Sequence, residues 1–252
     1  IWFQGEGAPG DLPRLEEAPA PARPHAPVAD VPGSHPAIWQ YTHGADGAEL
    51  AVVHTHQGVA AGAEPFARGK LGMGEGDIIF SVAKLFFGYG FGNSLVFPLL
   101  TGVCAILYSG RSDVLTVMEL VRRERPTLFF GVPSFFASML KVPSPASRFD
   151  VSSVRAFISA GEGLGASLAT RFQQAFGALP VNGLGSTEMF HIFMSTSPGQ
   201  GSPGSVGTPA PGHEVRPLDE VGRPVADGEV GELWVRGPHN GVGYAHHPEH
   251  TR

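Results

Sequence analysis

One cysteine, Cys104, is all the thiol this 252-residue chain carries. A single thiol excludes a disulfide scaffold and a cysteine-based zinc site. It sits in the apolar run Gly102–Leu107, which predicts a buried thiol and fits a reducing compartment. Excess positive charge is missing as well. Seventeen Lys+Arg stand against 23 Asp+Glu, for a net charge of −6, so no basic face is expected for nucleic acid. Charged residues are only 16% and hydrophobic residues 42%, which excludes disorder of the whole chain. A long hydrophobic run is also lacking. No charge falls between Lys84 and Arg111, but the apolar heart, Leu95 to Tyr108, is 14 residues interrupted by Pro98, Thr101 and Gly102. A membrane-spanning helix needs about 20 apolar residues, so this stretch reads as buried soluble structure with no membrane partner. The chain begins at Ile1 with no basic segment leading into an apolar core, so no signal peptide is read and the expected location is cytoplasmic.

What is abundant is glycine, 35, and proline, 23, which point to turns and functional loops rather than a helical bundle. Residues 1–36 hold eight of the prolines and read as a Pro/Ala-rich strand remnant and connector. Residues 37–202 read as an α/β core. It opens with strand-like Ile38–Tyr41 and Ala51–Val53, then a helix from about Gln57 to Lys70. From Val103 a rhythm sets in. Val103–Tyr108 reads as a buried strand, and Ser112 or Asp113 can cap a helix whose Val114, Val117, Leu120 and Val121 share a face. Pro126 ends that helix. Thr127–Phe130 is a strand, Pro133–Leu140 a short helix and Val154–Ile158 a third strand. Leu164, Leu168, Phe172 and Phe176 mark another amphipathic helix, and Val181 leads a fourth strand. Such alternation predicts a mostly parallel sheet flanked by helices. After Thr187 the rhythm stops. Glu214–Leu218 and Gly231–Arg236 read as antiparallel strands of a smaller β unit over 203–252.

In parallel sheets ligands bind beyond the carboxyl ends of the strands. Two glycine-rich loops fall there: Ser159-Ala-Gly-Glu-Gly163 and Gly183-Leu-Gly-Ser-Thr-Glu188. Glycine lets backbone N–H groups approach an anion. Thr187 adds a hydroxyl donor and Glu188 a hard carboxylate suited to Mg²⁺. By spacing alone, such loops are as often plain turns as metal–phosphate sites.

The run Val181-Asn-Gly-Leu-Gly-Ser-Thr-Glu-Met-Phe-His-Ile192 resembles the adenylate-forming superfamily of acyl-CoA synthetases, and within it the benzoate-CoA and other aryl-CoA ligases. Ser81–Asn93 is similar to that family's aryl-pocket segment and Ser159–Glu162 to its nucleotide loop. Gly228–Pro238 and Gly243-Tyr244 are similar to its late strand and loop. The resemblance covers nearly all of residues 37–252. It implies an internal part of the family's large domain and a two-step reaction: an acid and ATP give an acyl-adenylate, then CoA takes the acyl group. The implied partners are a small carboxylic acid, ATP, Mg²⁺ and CoA. A homo-oligomer is compatible with it, and nucleic acid and membrane have no part. By position, Thr187 and Glu188 would be catalytic, Glu188 as the Mg²⁺ ligand. Gly161, Glu162, Asn182, Gly183, Leu184 and Thr187 would bind the nucleotide, with Asn182 and Leu184 against the adenine. Gly88, Tyr89, Gly185, His191 and Ile192 would shape an acyl pocket for a flat aromatic acid, His191 near the carboxylate end.

The phosphate loop departs from the family pattern. Thr42, Gly44 and Gly47 remain, but His43, Ala45 and Asp46 replace hydroxyl residues and Leu50 stands at the lysine position. Losing that cation while adding Asp46 and Glu49 should weaken triphosphate binding. A catalytically degenerate homologue that binds acyl or nucleotide ligands without turnover is therefore an alternative. An adenylation domain loading a carrier protein is another. The chain stops at Arg252, before the family's Thr-Gly-Asp motif and lysine-bearing small domain, so the expectation is a fragment inactive alone. Elsewhere the plain readings are preferred. His54 and His56 read as structural, His246–His250 as solvated surface, Arg122–Arg125 as a solvated helix end, and Phe86, Phe87 and Phe91 as core.

Overall fold

The computed structural model describes residues 29–44 and 46–251. Most of the Pro/Ala-rich segment read over 1–36, and Ala45 of the altered loop, lie outside the described residues. The expected strand–helix rhythm is present. A hairpin of β1 (Pro36–His43) and β2 (Glu49–Thr55) leads into α1 (His56–Glu64), capped where Thr55 Oγ1 accepts from Gly58 N at 3.0 Å. A π-helical turn, Pro65–Lys70, continues α1, so the helix expected from 57 to 70 widens after Pro65, which has no N–H to hold the regular ladder.

The main sheet is then laid down by β3 (Ile78–Ser81), β4 (Cys104–Ile106), β5 (Leu128–Gly131), β6 (Ala156–Ser159), β7 (Val181–Gly185), β8 (Ile192–Ser195) and β9 (Thr208–Pro209). Their spatial order is β4-β3-β5-β6-β7-β8-β9. The first five are parallel and the last two antiparallel. Helices α2 (Gly88–Phe91) and α3 (Phe97–Thr101) follow β3. Between later strands run α4 (Val114–Glu124), α5 (Pro133–Leu140), α6 (Pro145–Arg148) and α7 (Ala166–Phe176). A separate hairpin of β10 (Glu214–Leu218) and β11 (Glu232–Arg236) follows. Finally β12 (Gly243–Tyr244) pairs with β2, returning the chain to its first sheet.

Residue alternation explains the two layers. On β5, Leu128 and Phe130 pack into one core with Phe66, Phe97 and Ile158. Phe129 between them packs into the other with Val117, Phe136, Phe157 and Phe172. Nine phenylalanines are under 2% exposed. At about 1.5–3 kcal/mol each, they dominate the apolar stabilisation of this part of the chain. Asp113 caps α4 by accepting from Thr116 N at 3.0 Å, and those amide bonds hold its carboxyl below the ordinary value. The helix ends at Arg125 in the left-handed region, φ 55°, just before Pro126.

At the amino ends of three neighbouring strands, Asp77, Thr127 and Arg155 close a network. Arg155 Nε and Nη2 donate to Asp77 at 2.8 and 2.7 Å, and Thr127 Oγ1 donates to it at 2.7 Å. Burial pushes the Asp77 carboxyl up, but the bonds from Arg155, Thr127 and Gly74 outweigh it and hold the value below the usual one.

Three expectations need correction. Val103–Tyr108 is not a buried strand: β4 is the sheet edge, and Cys104 on it is exposed. An apolar run cannot reveal which strand is outermost. Phe86 and Phe87 are 79% and 57% exposed rather than core, because the turn between β3 and α2 lifts them off the sheet. Leu164 is buried but precedes α7, which starts at Ala166. No helix among the described residues is long and apolar enough to cross a membrane.

Candidate active site

Three cavities open at the carboxyl ends of the central strands, and all three are walled by Gly185. A slot of about 290 Å³ is lined by Gln40, Gly88, Tyr89, Gly161, Thr187 and His191, with Ile192 also on its wall. A cleft of about 510 Å³ is lined by Gly161, Glu162, Asn182, Gly183 and Leu184. Another of about 510 Å³ holds Leu184, Ser186, Glu188, Gly241, Tyr244 and His250. Slot and cleft share Gly161; the cleft and the Glu188 cavity share Leu184.

Gly185 ends β7 and pairs with Ile192 at the start of β8. A Cβ there would fall 2.5 Å from the His191 carbonyl oxygen, so no side chain fits. The loop between these strands turns at Phe190, whose φ is +69°. His54 Nε2 donates to the Thr187 carbonyl at 2.9 Å and thereby pins the loop from β2. Burial lowers the His54 pKa, only partly offset by the Thr187 bond and Glu188. The Thr187 hydroxyl makes no hydrogen bond among the described residues. Glu188 is anchored by its carbonyl, which accepts from Gly241 N at 2.7 Å, and by Oε1, which accepts from the Tyr244 hydroxyl at 2.8 Å. Burial and the Glu188 carboxylate push the Tyr244 hydroxyl up to about 12, so it stays a donor.

In the slot, the Tyr89 ring stacks on His191 with centroids 5.5 Å apart. The Tyr89 hydroxyl donates toward the Gly131 and Ile158 carbonyls, each at 3.3 Å. His191 Nε2 donates to the Tyr89 carbonyl at 3.1 Å. Burial lowers the His191 pKa to about 4, so the ring is neutral near pH 7. Gly92 seats this ring: a Cβ there would lie 2.3 Å from His191 Cδ2. In the cleft, Glu162 is exposed and its carboxylate accepts from Ser134 N and Ser134 Oγ at 3.2 and 2.9 Å, tying the loop to the start of α5. Asn182 is buried and its Nδ2 donates to the Ser205 carbonyl at 3.0 Å.

All five residues expected in the acyl pocket thus line one slot, joined by Thr187, and five of the expected nucleotide residues line the adjoining cleft. Glu188 faces the third cavity. Thr42, Gly44 and Gly47 line none of these three. They belong to the β1–β2 hairpin, where Asp46 Oδ1 accepts from Ala48 N at 3.0 Å and Leu50 is only 3% exposed. Sequence reasoning missed Gln40, Gly92 and Tyr244. Tyr244 was visible as part of a family-like Gly-Tyr pair and Gly92 as part of the pocket-like segment Ser81–Asn93, though neither was singled out; Gln40 carried no signal beyond an odd polar residue between two aromatics. His54 is buried on β2 and His56 is exposed at the start of α1. His247, Glu249 and His250 are the one group of three ligand side chains close enough for an ion among the described residues, and they face solvent.

Mg²⁺ is commonly held by one or two carboxylates, with substrate phosphates and water completing its shell. Glu188 fits that pattern: one oxygen is taken by Tyr244, and Glu188 belongs to no group of three ligand side chains close enough for an ion among the described residues. The residues suit an ion shared with a bound phosphate rather than a caged one.

A family model described as AMP-binding enzyme matches residues 4–245. The chain belongs to the AMP-binding enzyme family. Among AMP-binding relatives, it is 43% identical over 215 residues to the benzoate–CoA ligase of Thauera aromatica, covering 85% of this chain and 41% of that protein. It is 36% identical over 263 residues to the 4-hydroxybenzoate–CoA/benzoate–CoA ligase of Rhodopseudomonas palustris, covering 98% of this chain and 49% of the relative. The crystal structure of a benzoate CoA ligase from Burkholderia xenovorans LB400 superposes with a TM-score of 0.84 at 40% identity, over 94% of this chain and 47% of that one. The chain therefore spans less than half the length of these AMP-binding relatives.

Proposed function

We propose that the whole protein is an ATP-dependent aryl acid–CoA ligase of benzoate-like specificity, working in the cytoplasm. The observation that carries this reading is the meeting of slot, cleft and Glu188 cavity at Gly185. An aromatic acid in the slot would present its carboxylate where the nucleotide's α-phosphate reaches it from the cleft. The carboxylate oxygen attacks phosphorus, pyrophosphate leaves, and an acyl-adenylate forms. The CoA sulfur then attacks the acyl carbon and AMP leaves.

Each residue's task follows from its surroundings. Tyr89, His191 and Ile192, with Gly88 and Gly185, shape a flat slot whose walls are held by bonds among themselves. His191 is neutral and its Nε2–H is committed to Tyr89, so it shapes the slot and does not act as a cation. Gly161, Glu162, Asn182, Gly183 and Leu184 would flank adenine and ribose. Thr187 would donate its hydroxyl to the phosphate. Glu188 would hold Mg²⁺, which when bound neutralises charge on the phosphates and so lowers the barrier to attack by an anion. The test is an assay of the whole protein for benzoate-dependent AMP formation. AMP is expected to accumulate and to need Glu188. No AMP with any aryl or short acyl acid would overturn the reading, as would an unaltered rate in Glu188→Ala.

A second reading, a homologue that binds ligand without turnover, is favoured by one observation. Leu50 is buried where the family pattern has a lysine, beside Asp46 and Glu49. Turnover separates the two. AMP formation by the whole protein removes this reading; no AMP from the protein as it stands, with AMP formation gained in Leu50→Lys, supports it.

A further inference from the structure

Gln40 is the one residue of β1 that is fully buried, 8% exposed, while its neighbours Trp39 and Tyr41 are 47% and 73% exposed. The strand thus turns its aromatics outward and a primary amide inward. Neither Nε2 nor Oε1 of that amide has a hydrogen-bond partner among the described residues. A buried amide without partners is costly, and native proteins carry few of them without a reason. Gln40 lies on the wall of the slot, and its Nε2 is 3.2 Å from the point where a Cβ on Gly88 would stand.

The other polar groups of the slot are committed or accounted for. The Tyr89 hydroxyl is held by two carbonyls, His191 Nε2 donates to the Tyr89 carbonyl, and Ser186 Oγ accepts from Met189 N. The Thr187 hydroxyl, also on the slot wall, is the donor proposed above for the phosphate. His191 Nδ1 is unpaired too, but with Nε2 protonated it can only accept. Among the buried side-chain atoms of the slot, Gln40 alone offers both an unpaired donor and an unpaired acceptor.

We propose that Gln40 recognises a polar substituent on the ring of the acid, so that among the benzoates the site prefers hydroxy- or aminobenzoates over unsubstituted benzoate. A hydroxyl or amino group both donates and accepts, as the amide requires. The amide is closed to water as it stands. A turn of its broad terminal torsion toward the slot exchanges an unpaired amide for a paired one. A site with a buried polar group discriminates against ligands that leave it unpaired.

This inference rests on the aryl-acid reading of the slot. Calorimetry of the protein with benzoate, the hydroxybenzoates, the aminobenzoates and the toluates tests it. At least one hydroxy or amino acid should bind about tenfold more tightly than benzoate, and the toluate of the same substitution should not. In Gln40→Leu, and in Gln40→Met as a second variant checked for folding by thermal melt, that ratio should collapse toward one. If no benzoate of any kind binds, the aryl-acid reading falls and takes this inference with it. If benzoates bind but the ratio is near one, or survives both substitutions, only the assignment to Gln40 is overturned.

Discussion

The two ends of the parallel strands β3, β5 and β6 are built in opposite ways. At the amino ends, Asp77, Thr127 and Arg155 satisfy one another through short bonds, and Thr127 Oγ1 also accepts from Ile78 N at 3.0 Å. At the carboxyl ends stand glycine loops and buried polar atoms without partners: the Gln40 amide, His54 Nδ1, Ser159 Oγ and His191 Nδ1. The closed end fixes the register of three strands. On the function proposed above, a ligand completes the open end, and the closed end supplies stability that an unfinished site forgoes. Stability and chemistry are thus divided along the same strands, and substitutions at either end should be separable in their effects.

The largest separation is expected from Glu188→Ala. Loss of the proposed metal ligand should cut AMP formation by roughly 100- to 1000-fold, the scale of removing one electrostatic group from a polar active site. The melting temperature should move little, since the substitution deletes only the bond from Tyr244 among the side-chain contacts of Glu188. A protein that melts early and keeps its rate would break the comparison. Next in size is Asp77→Ala. It removes the carboxylate partner of Arg155, but that guanidinium keeps its bond to the Leu71 carbonyl and is 37% exposed, which softens the penalty of a fully buried ion. The expected loss is about 2–3 kcal/mol by urea unfolding, with the ligand affinities unchanged below the melting transition. A shift in ligand binding instead would show that the two ends are coupled.

Much of this division was legible in the sequence. The motif Gly185-Ser-Thr-Glu188, the cap at Asp113 and the stop at Pro126 are local signals, and local signals survive without coordinates. The closed end was not legible, because Asp77, Thr127 and Arg155 are far apart in sequence and each is an ordinary polar residue. Strand β3 went unread for a similar reason: Ile78–Ser81 is four residues with no alternation to mark it. Strand β8 hid behind the positive φ of Phe190, which reverses the chain where a bulky residue would not be expected to do so. Gln40 shows the limit most clearly. Its place between Trp39 and Tyr41 was visible, but which side of the strand faces the core depends on pairing with β2.

The smallest expected effects lie in pH dependence, and they divide the two ends by window. His191 at the open end, and His239 packed beside His213 at 3.3 Å, are lowered to about 4, chiefly by burial. The groups acting on His239 are His213, His54 and His191, which lower it, and the Met189 backbone, whose hydrogen bond raises it. The unfolded histidine value is about 6.5. Above it both states are uncharged and the stability is fully present. As pH falls from about 6.5 toward 4, the unfolded chain binds protons that the folded chain refuses. Stability then drops by up to about 1.4 kcal/mol per pH unit for each such histidine. Asp77 behaves differently. Its folded value is depressed, so its contribution is present above the unfolded value of about 3.9 and is lost only as pH falls further, through the folded value. Urea unfolding at stepped pH should therefore show two limbs. His239→Gln should flatten the limb between about 6.5 and 4, and Asp77→Asn should leave that limb's slope as it is and alter only the one below. If Asp77→Asn flattened the upper limb, or His239→Gln did not, the assignment of one titration window to each set of groups would be wrong.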